Sequence, residues 1–173
     1  MSKHSLCFLH EKAIDFSMYE DRIEKAVELF HQGYNCSQSV VAAFADLYGF
    51  TAEQALRMAA SFGGGIGRMR ETCGAAMGMF LLTGLETGTV VADDREEKSA
   101  NYKDVQTLAA KFKENAGSLL CRELLQLAKD EKISYEASPR TDEYYKTRGC
   151  SGKVALAARL YANFLEQRQS EAQ

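Results

Sequence analysis

Proline and tryptophan are almost absent from this sequence, which has one proline and no tryptophan in 173 residues. Because proline interrupts helix interiors, so low a content is typical of a nearly all-helical chain. No segment reaches the about 18 consecutive apolar residues that a membrane-spanning helix needs. Residues 1–10 also lack the apolar stretch and cleavage site of a secretory signal. We therefore expect a cytoplasmic protein without a membrane span.

An excess of charge of one sign is missing as well. The chain has 21 basic and 24 acidic residues, interspersed along the sequence, for a formal net charge of −3. Because binding to nucleic acid needs a clustered positive face, we expect no nucleic-acid partner. Hydrophobic residues make up 46% and charged residues 26% of the chain, a balance that excludes wholesale disorder. The length suits one domain.

Apolar residues recur at helical spacing along most of the chain. Ile23, Ala26, Val27 and Phe30 form one such stripe, and similar patterns predict helices over about 20–32, 36–47, 52–62, 74–85, 100–114 and 152–167. A further short helix is predicted over 118–128, and residues 87–98 and 129–149 are predicted connections. The fold class is therefore all-α, a single-domain bundle of about six helices over residues 18–168. Residues 1–17 are predicted to be an N-terminal extension and residues 169–173 a frayed tail.

The cysteines carry the chemistry of this sequence. There are five, Cys7, Cys36, Cys73, Cys121 and Cys150, and the last four are separated by 37, 48 and 29 residues. Structural zinc sites usually take ligands in close pairs, so a closed zinc knuckle is not indicated. Each of the last four lies within about one turn of a predicted helix start, where the helix dipole favours a thiolate. We therefore expect them to gather at one end of the bundle.

Arginines next to these cysteines in the sequence are expected to favour the thiolate as well. They are Arg68, Arg70, Arg122 and Arg148. The thiolate is the form of cysteine that attacks disulfides, becomes oxidised or binds a metal. The pattern therefore predicts reactive or ligating sulfurs.

The segment Cys73-Gly74-Ala75-Ala76-Met77-Gly78 resembles the central motif of the redox-active bacterial proteins called the C_GCAxxG_C_C family. Cys36, Cys121 and Cys150 match the other three cysteines of that family, whereas Cys7 has no counterpart. The segments 33–37 and 63–67 and the pair Cys121-Arg122 are also similar, and the resemblance covers about residues 20–164. It implies redox activity based on the cysteines.

The domain is also similar to that of split-Soret cytochromes, with which an iron–sulfur cluster has been associated. Because the chain has no Cys-x-x-Cys-His sequence, we do not expect a haem. A redox partner of unidentified kind is implied.

Two chemistries for the four cysteines stay open. In the first, Cys36, Cys73, Cys121 and Cys150 are ligands of an iron–sulfur cluster or another metal ion, with Gly64, Gly65 and Gly74 as cofactor-binding residues. In the second, the same cysteines are catalytic in thiol–disulfide exchange, with Cys73 as the attacking thiol and one of the others resolving it. The alternatives are a metal-binding protein without turnover and a structural or partner-binding helical module with inert cysteines. Apolar surface on helices such as the one over 36–48 also suggests a homodimer.

Overall fold

The computed structural model describes residues 18–172, and within that range the regular elements are all helical, which confirms the all-α fold class. The eight α-helices are α1 (Glu20–His31), α2 (Cys36–Phe44), α3 (Ala52–Ala59), α4 (Gly74–Thr87), α5 (Arg95–Ala116), α6 (Cys121–Leu124), α7 (Asp142–Arg148) and α8 (Cys150–Glu171). Short 3-10 turns, Ala45–Tyr48 and Ala60–Phe62, extend α2 and α3. The predicted extension over residues 1–17, with Cys7, lies outside the described residues.

The prediction of about six helices was too low. Helix α7 lies inside the segment 129–149 that we predicted as a connection, and Thr141 caps it by accepting a hydrogen bond from the Tyr144 amide. The predicted helix over 118–128 shrinks to α6, because Gln126 has a left-handed backbone with φ of 54° and cannot continue it.

Two capping boxes set the helix starts nearest to the site. The Asn35 side chain accepts from the Gln38 amide while the Gln38 side chain accepts from the Asn35 amide, and Thr51 and Gln54 make the same exchange. Loss of such a cap typically costs about 1 kcal/mol. The first box makes Cys36 the first residue of α2.

Helices α2 and α4 pack closely at the centre of the bundle, and α1, α3 and α8 also contact α2. A methyl group on Gly78 would lie 3.0 Å from both the Ser37 carbonyl oxygen and the Val40 Cβ. The small face of α4 therefore lets the two backbones approach, as its glycine and alanine spacing predicts.

The apolar side chains of α2 are buried inside the chain, with Val40, Val41 and Phe44 at 0% exposure. Leu47, in the turn that follows α2, is by contrast 43% exposed, and the homodimer stays a prediction. Among the described helices, none combines the length and the apolar character that a membrane crossing requires.

Candidate functional site

The four cysteines that the sequence singles out all stand at helix starts. Cys36, Cys121 and Cys150 are the first residues of α2, α6 and α8, and Cys73 directly precedes α4. All four line a single cavity of about 530 Å³. The fold therefore brings to one place the sulfurs of residues that lie far apart in the sequence.

A short antiparallel bridge between Thr72 and Leu120 holds two of these cysteines side by side. The Cys73 amide donates to the Leu119 carbonyl at 2.7 Å, and the Cys121 amide donates to the Glu71 carbonyl at 2.6 Å. The pairing joins the segment before α4 to the segment before α6. It therefore sets the separation of the Cys73 and Cys121 backbones.

The glycine-rich run before Cys73 forms a left-handed turn in the cavity wall. From Gly64 to Arg68 every residue has φ between 56° and 73°, and Arg70 has φ of 64°. For a residue with a side chain this conformation costs roughly 1–2 kcal/mol. Hydrogen bonds from the Gly67 amide to the Ser61 carbonyl and from the Glu71 amide to the Gly65 carbonyl hold the turn. The turn carries the side chains of Arg68 and Arg70 to the cavity.

The three glycines predicted to bind a cofactor have different surroundings. Gly64 and Gly74 line the cavity, whereas Gly65 does not line it and packs behind Cys121. A methyl group on Gly65 would lie 2.5 Å from the Cys121 Cβ, and one on Gly74 would lie 3.3 Å from the Cys36 Sγ. For Gly65 the structure therefore gives a packing reason in place of cofactor contact.

Burial raises the thiol pKa values that we expected the helix ends to lower. It raises the pKa of Cys73 and that of Cys150 to about 12, and the nearby Cys36 side chain shifts both pKa values in the same direction. Burial also raises the pKa of Cys121, although Arg70 opposes this shift. The expectation of thiolates was therefore wrong for these three residues, because desolvation outweighs the helix ends and the arginines. The choice of Cys73, which is 6% exposed, as the attacking thiol loses its basis.

The cavity wall is strongly basic. Among the described residues, its lining includes Arg68, Arg70, Arg140, Arg148 and Lys153, and no aspartate, glutamate or histidine. Arg70 is buried, and its Nη1 lies 4.0 Å from the Cys121 Sγ. Arg122, which we also expected at the site, does not line this cavity. Its guanidinium donates instead to the carbonyls of Ala128 and Lys129.

One wall of the cavity comes from the segment 129–149, which we predicted as a connection. Tyr135, Ala137, Ser138, Arg140 and Tyr144 all belong to it. A signal for its helix was present, because Thr141 is followed by two acidic residues and the helix ends in Arg148 and then Gly149. Nothing in the local sequence indicated that this segment faces the cysteines.

Among the described residues that line the cavity, the side chains of the common metal-binding types are all cysteines. Cys36, Cys73, Cys121 and Cys150 are all free thiols. Within residues 18–172, no three side chains of the metal-binding types are placed to hold a single metal ion. A mononuclear site therefore does not fit the side chains as they stand. A set of four thiols around a shared space is the donor set of an iron–sulfur cluster, and in that respect the residues fit such a group.

Comparison with known proteins finds a matching family model. A family model described as "Putative redox-active protein (C_GCAxxG_C_C)" matches residues 34–164, a range that contains all four cavity cysteines and about three quarters of the chain. No curated protein and no solved structure matches the chain.

Proposed function

The chain belongs to the C_GCAxxG_C_C family of redox-active proteins, and from this premise we propose that Cys36, Cys73, Cys121 and Cys150 hold an iron–sulfur cluster through which the protein exchanges electrons. The observation that carries the proposal is that four free thiols from four separate helix starts line one cavity. Iron–sulfur clusters are typically held by four cysteine sulfurs. When bound, such a cluster supplies electron transfer.

The cysteines would have to lose their protons to bind the iron of a cluster, and the surrounding residues favour the resulting thiolates. The raised pKa values mean that Cys73, Cys121 and Cys150 carry protons at neutral pH in the metal-free chain. Ligation by thiolate therefore releases protons, so assembly should become more favourable as the pH rises. Arg70 stabilises a thiolate at Cys121, and the Ala75 and Ala76 amides stabilise one at Cys73.

Burial of the sulfurs also restricts the access of water to the proposed cluster. Cys73 is 6% and Cys121 is 7% exposed, while Cys36 and Cys150 are half-buried. Solvent exposure and hydrogen bonds to sulfur are two of the factors that tune the potential of a cluster. The half-buried pair gives an electron partner its shortest approach to the sulfurs.

A dithiol–disulfide cycle is a second candidate, favoured by the position of Cys36. Its sulfur lies beside Gly74, the residue after Cys73, because a methyl group there would be 3.3 Å from that sulfur. In this cycle Cys36 attacks an external disulfide and releases one thiol. Cys73 then displaces the second thiol and forms the Cys36–Cys73 disulfide. Two electrons and two protons pass to the substrate, whose disulfide becomes two thiols.

Anaerobic purification and reconstitution with ferrous iron and sulfide test the proposal. We expect broad visible absorption and about four iron and four sulfide ions per chain if the cluster is of the four-iron type. Replacement of any one of the four cavity cysteines by serine should strongly reduce the iron content, whereas Cys7→Ser, the matched control, should not.

Reconstituted protein without iron or sulfide would contradict the cluster. In that case, mass spectrometry of the mildly oxidised protein should find a Cys36–Cys73 disulfide if the second candidate is correct. Zinc at about one ion per chain would instead support metal binding without turnover, and four inert thiols would support a purely structural module.

A further inference from the structure

Within residues 18–172, the positive charges of the cavity have no carboxylate partner. The ion pairs of the described residues lie elsewhere, between Arg22 and Asp46, Arg57 and Glu53, Arg159 and Glu20, and Arg168 and Glu86. Arg68 donates to the Ser134 carbonyl and the Ser138 hydroxyl, and Arg70 donates to the Gly64 carbonyl. These neutral acceptors leave the charges of the cavity uncompensated.

The basic residues of the wall are also close enough to repel one another. Burial lowers the pKa of Arg68, and the charges of Arg70 and Arg148 lower it further. Gathering like charges on a partly buried wall is unfavourable unless something of opposite charge offsets it.

Arg140 presents a donor with no acceptor. Its Nη2 donates to the Tyr34 carbonyl at 3.2 Å, but its Nη1 is a buried nitrogen without any hydrogen-bond partner. A buried donor left unsatisfied typically costs about 1–3 kcal/mol, and more when it is charged. Because Arg140 lines the cavity, a bound acceptor that reached this nitrogen would remove this cost.

Aromatic rings hold two of the guanidinium groups in place. The Arg140 guanidinium lies 4.9 Å from the centre of the Phe30 ring and 4.5 Å from that of Tyr144. The Arg148 guanidinium lies 4.8 Å from the same Tyr144 ring. Guanidinium groups fixed in this way lose little further freedom when they bind, and their planar geometry matches a carboxylate or phosphate.

We propose that the cavity also binds a small organic anion bearing carboxylate or phosphate groups, with Arg140, Arg148 and Lys153 as its anchors. The volume of about 530 Å³ lies in the range of roughly 300–1,000 Å³ that is usual for small-molecule sites. Leu124, Leu125 and Tyr135 provide apolar wall for the rest of such a molecule. That the anion is the redox substrate rests on the proposed function, whereas the binding itself does not.

Isothermal titration calorimetry on the full chain tests this proposal, with pyrophosphate and citrate as probes. The titrations use cluster-free protein and protein reconstituted with iron and sulfide. We expect binding of at least one probe to both forms, weakened by high salt, and the stronger probe identifies the preferred oxyanion. Arg140→Gln and, separately, Lys153→Gln should weaken binding by at least about tenfold. Arg57→Gln, at an exposed arginine of α3, is the matched control and should bind as the unaltered protein does.

Three results would overturn the proposal. They are no binding of either probe, equal binding by the cavity variants and the Arg57→Gln control, and binding confined to the cluster-free form. The last result would mean that the basic residues serve only to balance the charge of the ligated sulfurs. Circular dichroism of each variant checks its fold, and Lys153→Gln keeps the test valid if Arg140→Gln does not fold. Iron content is measured separately, so a failure of the cluster and a failure of anion binding give different results.

Discussion

Replacement of Gly65 by alanine adds both backbone strain and steric overlap at the site, and a control at Gly49 separates the two effects. Gly65 has φ of +73°, and a methyl group there would lie 2.5 Å from the Cys121 Cβ and 2.8 Å from the Glu71 nitrogen. The left-handed backbone costs an alanine roughly 1–2 kcal/mol. Forcing a methyl group into a packed site typically costs about 1–3 kcal/mol more. We therefore expect Gly65→Ala to lower the free energy of unfolding by about 2–5 kcal/mol.

Gly49 offers a closely matched control. Its φ is +78°, nearly that of Gly65, but a methyl group there would meet nothing within 4 Å. Gly49→Ala should therefore show only the backbone cost, about 1–2 kcal/mol. Urea unfolding of both variants measures the difference, which is the cost of overlap with the Cys121 side chain and with the backbone of Arg70 and Glu71.

The uptake of iron and sulfide is a second measurement, which tests whether the stability change arises at the cysteine site. Because the methyl group of Gly65→Ala must displace Cys121 or the backbone beside it, this variant should take up less iron and sulfide on reconstitution. Gly49→Ala should take up as much as the unaltered protein. Equal unfolding free energies for the two variants, with equal iron content, would refute the close packing of Gly65 against Cys121 and the backbone of Arg70 and Glu71.

Three other predictions concern the pH, Arg70 and the core. In the cluster-free folded protein, the raised pKa of Cys73 keeps its thiol protonated, whereas the same thiol in the unfolded chain ionises near its ordinary pKa of 9.0. The free energy of unfolding, measured with urea, should therefore fall between about pH 9 and 12. The fall should reach up to about 1.4 kcal/mol per pH unit for this thiol, and Cys73→Ala should show a correspondingly smaller one. Arg70→Gln should slow the alkylation of Cys121 at pH 8 by about three- to tenfold, because Arg70 favours the thiolate of Cys121. Mass spectrometry measures the rate, and an unchanged rate would contradict the contact between Arg70 and Cys121. Tyr161→Phe should cost about 1–3 kcal/mol in thermal or urea unfolding, because it leaves the buried Leu82 carbonyl without this donor, and a loss below about 0.5 kcal/mol would argue against that bond.

Local sequence patterns predicted the helices whose starts and packing faces are marked by capping residues or by small residues at helical spacing. Asn35 and Thr51 each stand before a residue that completes a capping box, and both helices begin where these residues place them. The glycine and alanine spacing of α4 likewise predicts close packing, because a helix without large side chains on one face admits another backbone. The prediction was wrong for the segment 129–149, where the helix signal around Thr141 stood within a long polar stretch.

The direction of the thiol pKa values could not be predicted from neighbours in the sequence. A helix start and an adjacent arginine both lower the pKa of a cysteine, and these features can be recognised locally. Desolvation depends instead on how much of the rest of the chain covers the sulfur. At Cys73 and Cys150 it is the larger effect, and it reverses the sign of the shift.

The sequence by itself determined the all-helical class, the placing of four cysteines at helix starts and the family, because each depends on residues close together or on a motif. The gathering of these cysteines at one end of the bundle was expected from the sequence, but only the tertiary structure shows the cavity that they line. It alone decided that Gly65 supports Cys121 from behind, and that Arg140 and Lys153 complete a basic wall without acidic partners among the described residues. The physical reason is that charge balance and burial depend on distances between residues far apart in the chain. Those distances follow from the packing of the helices, which no local pattern encodes.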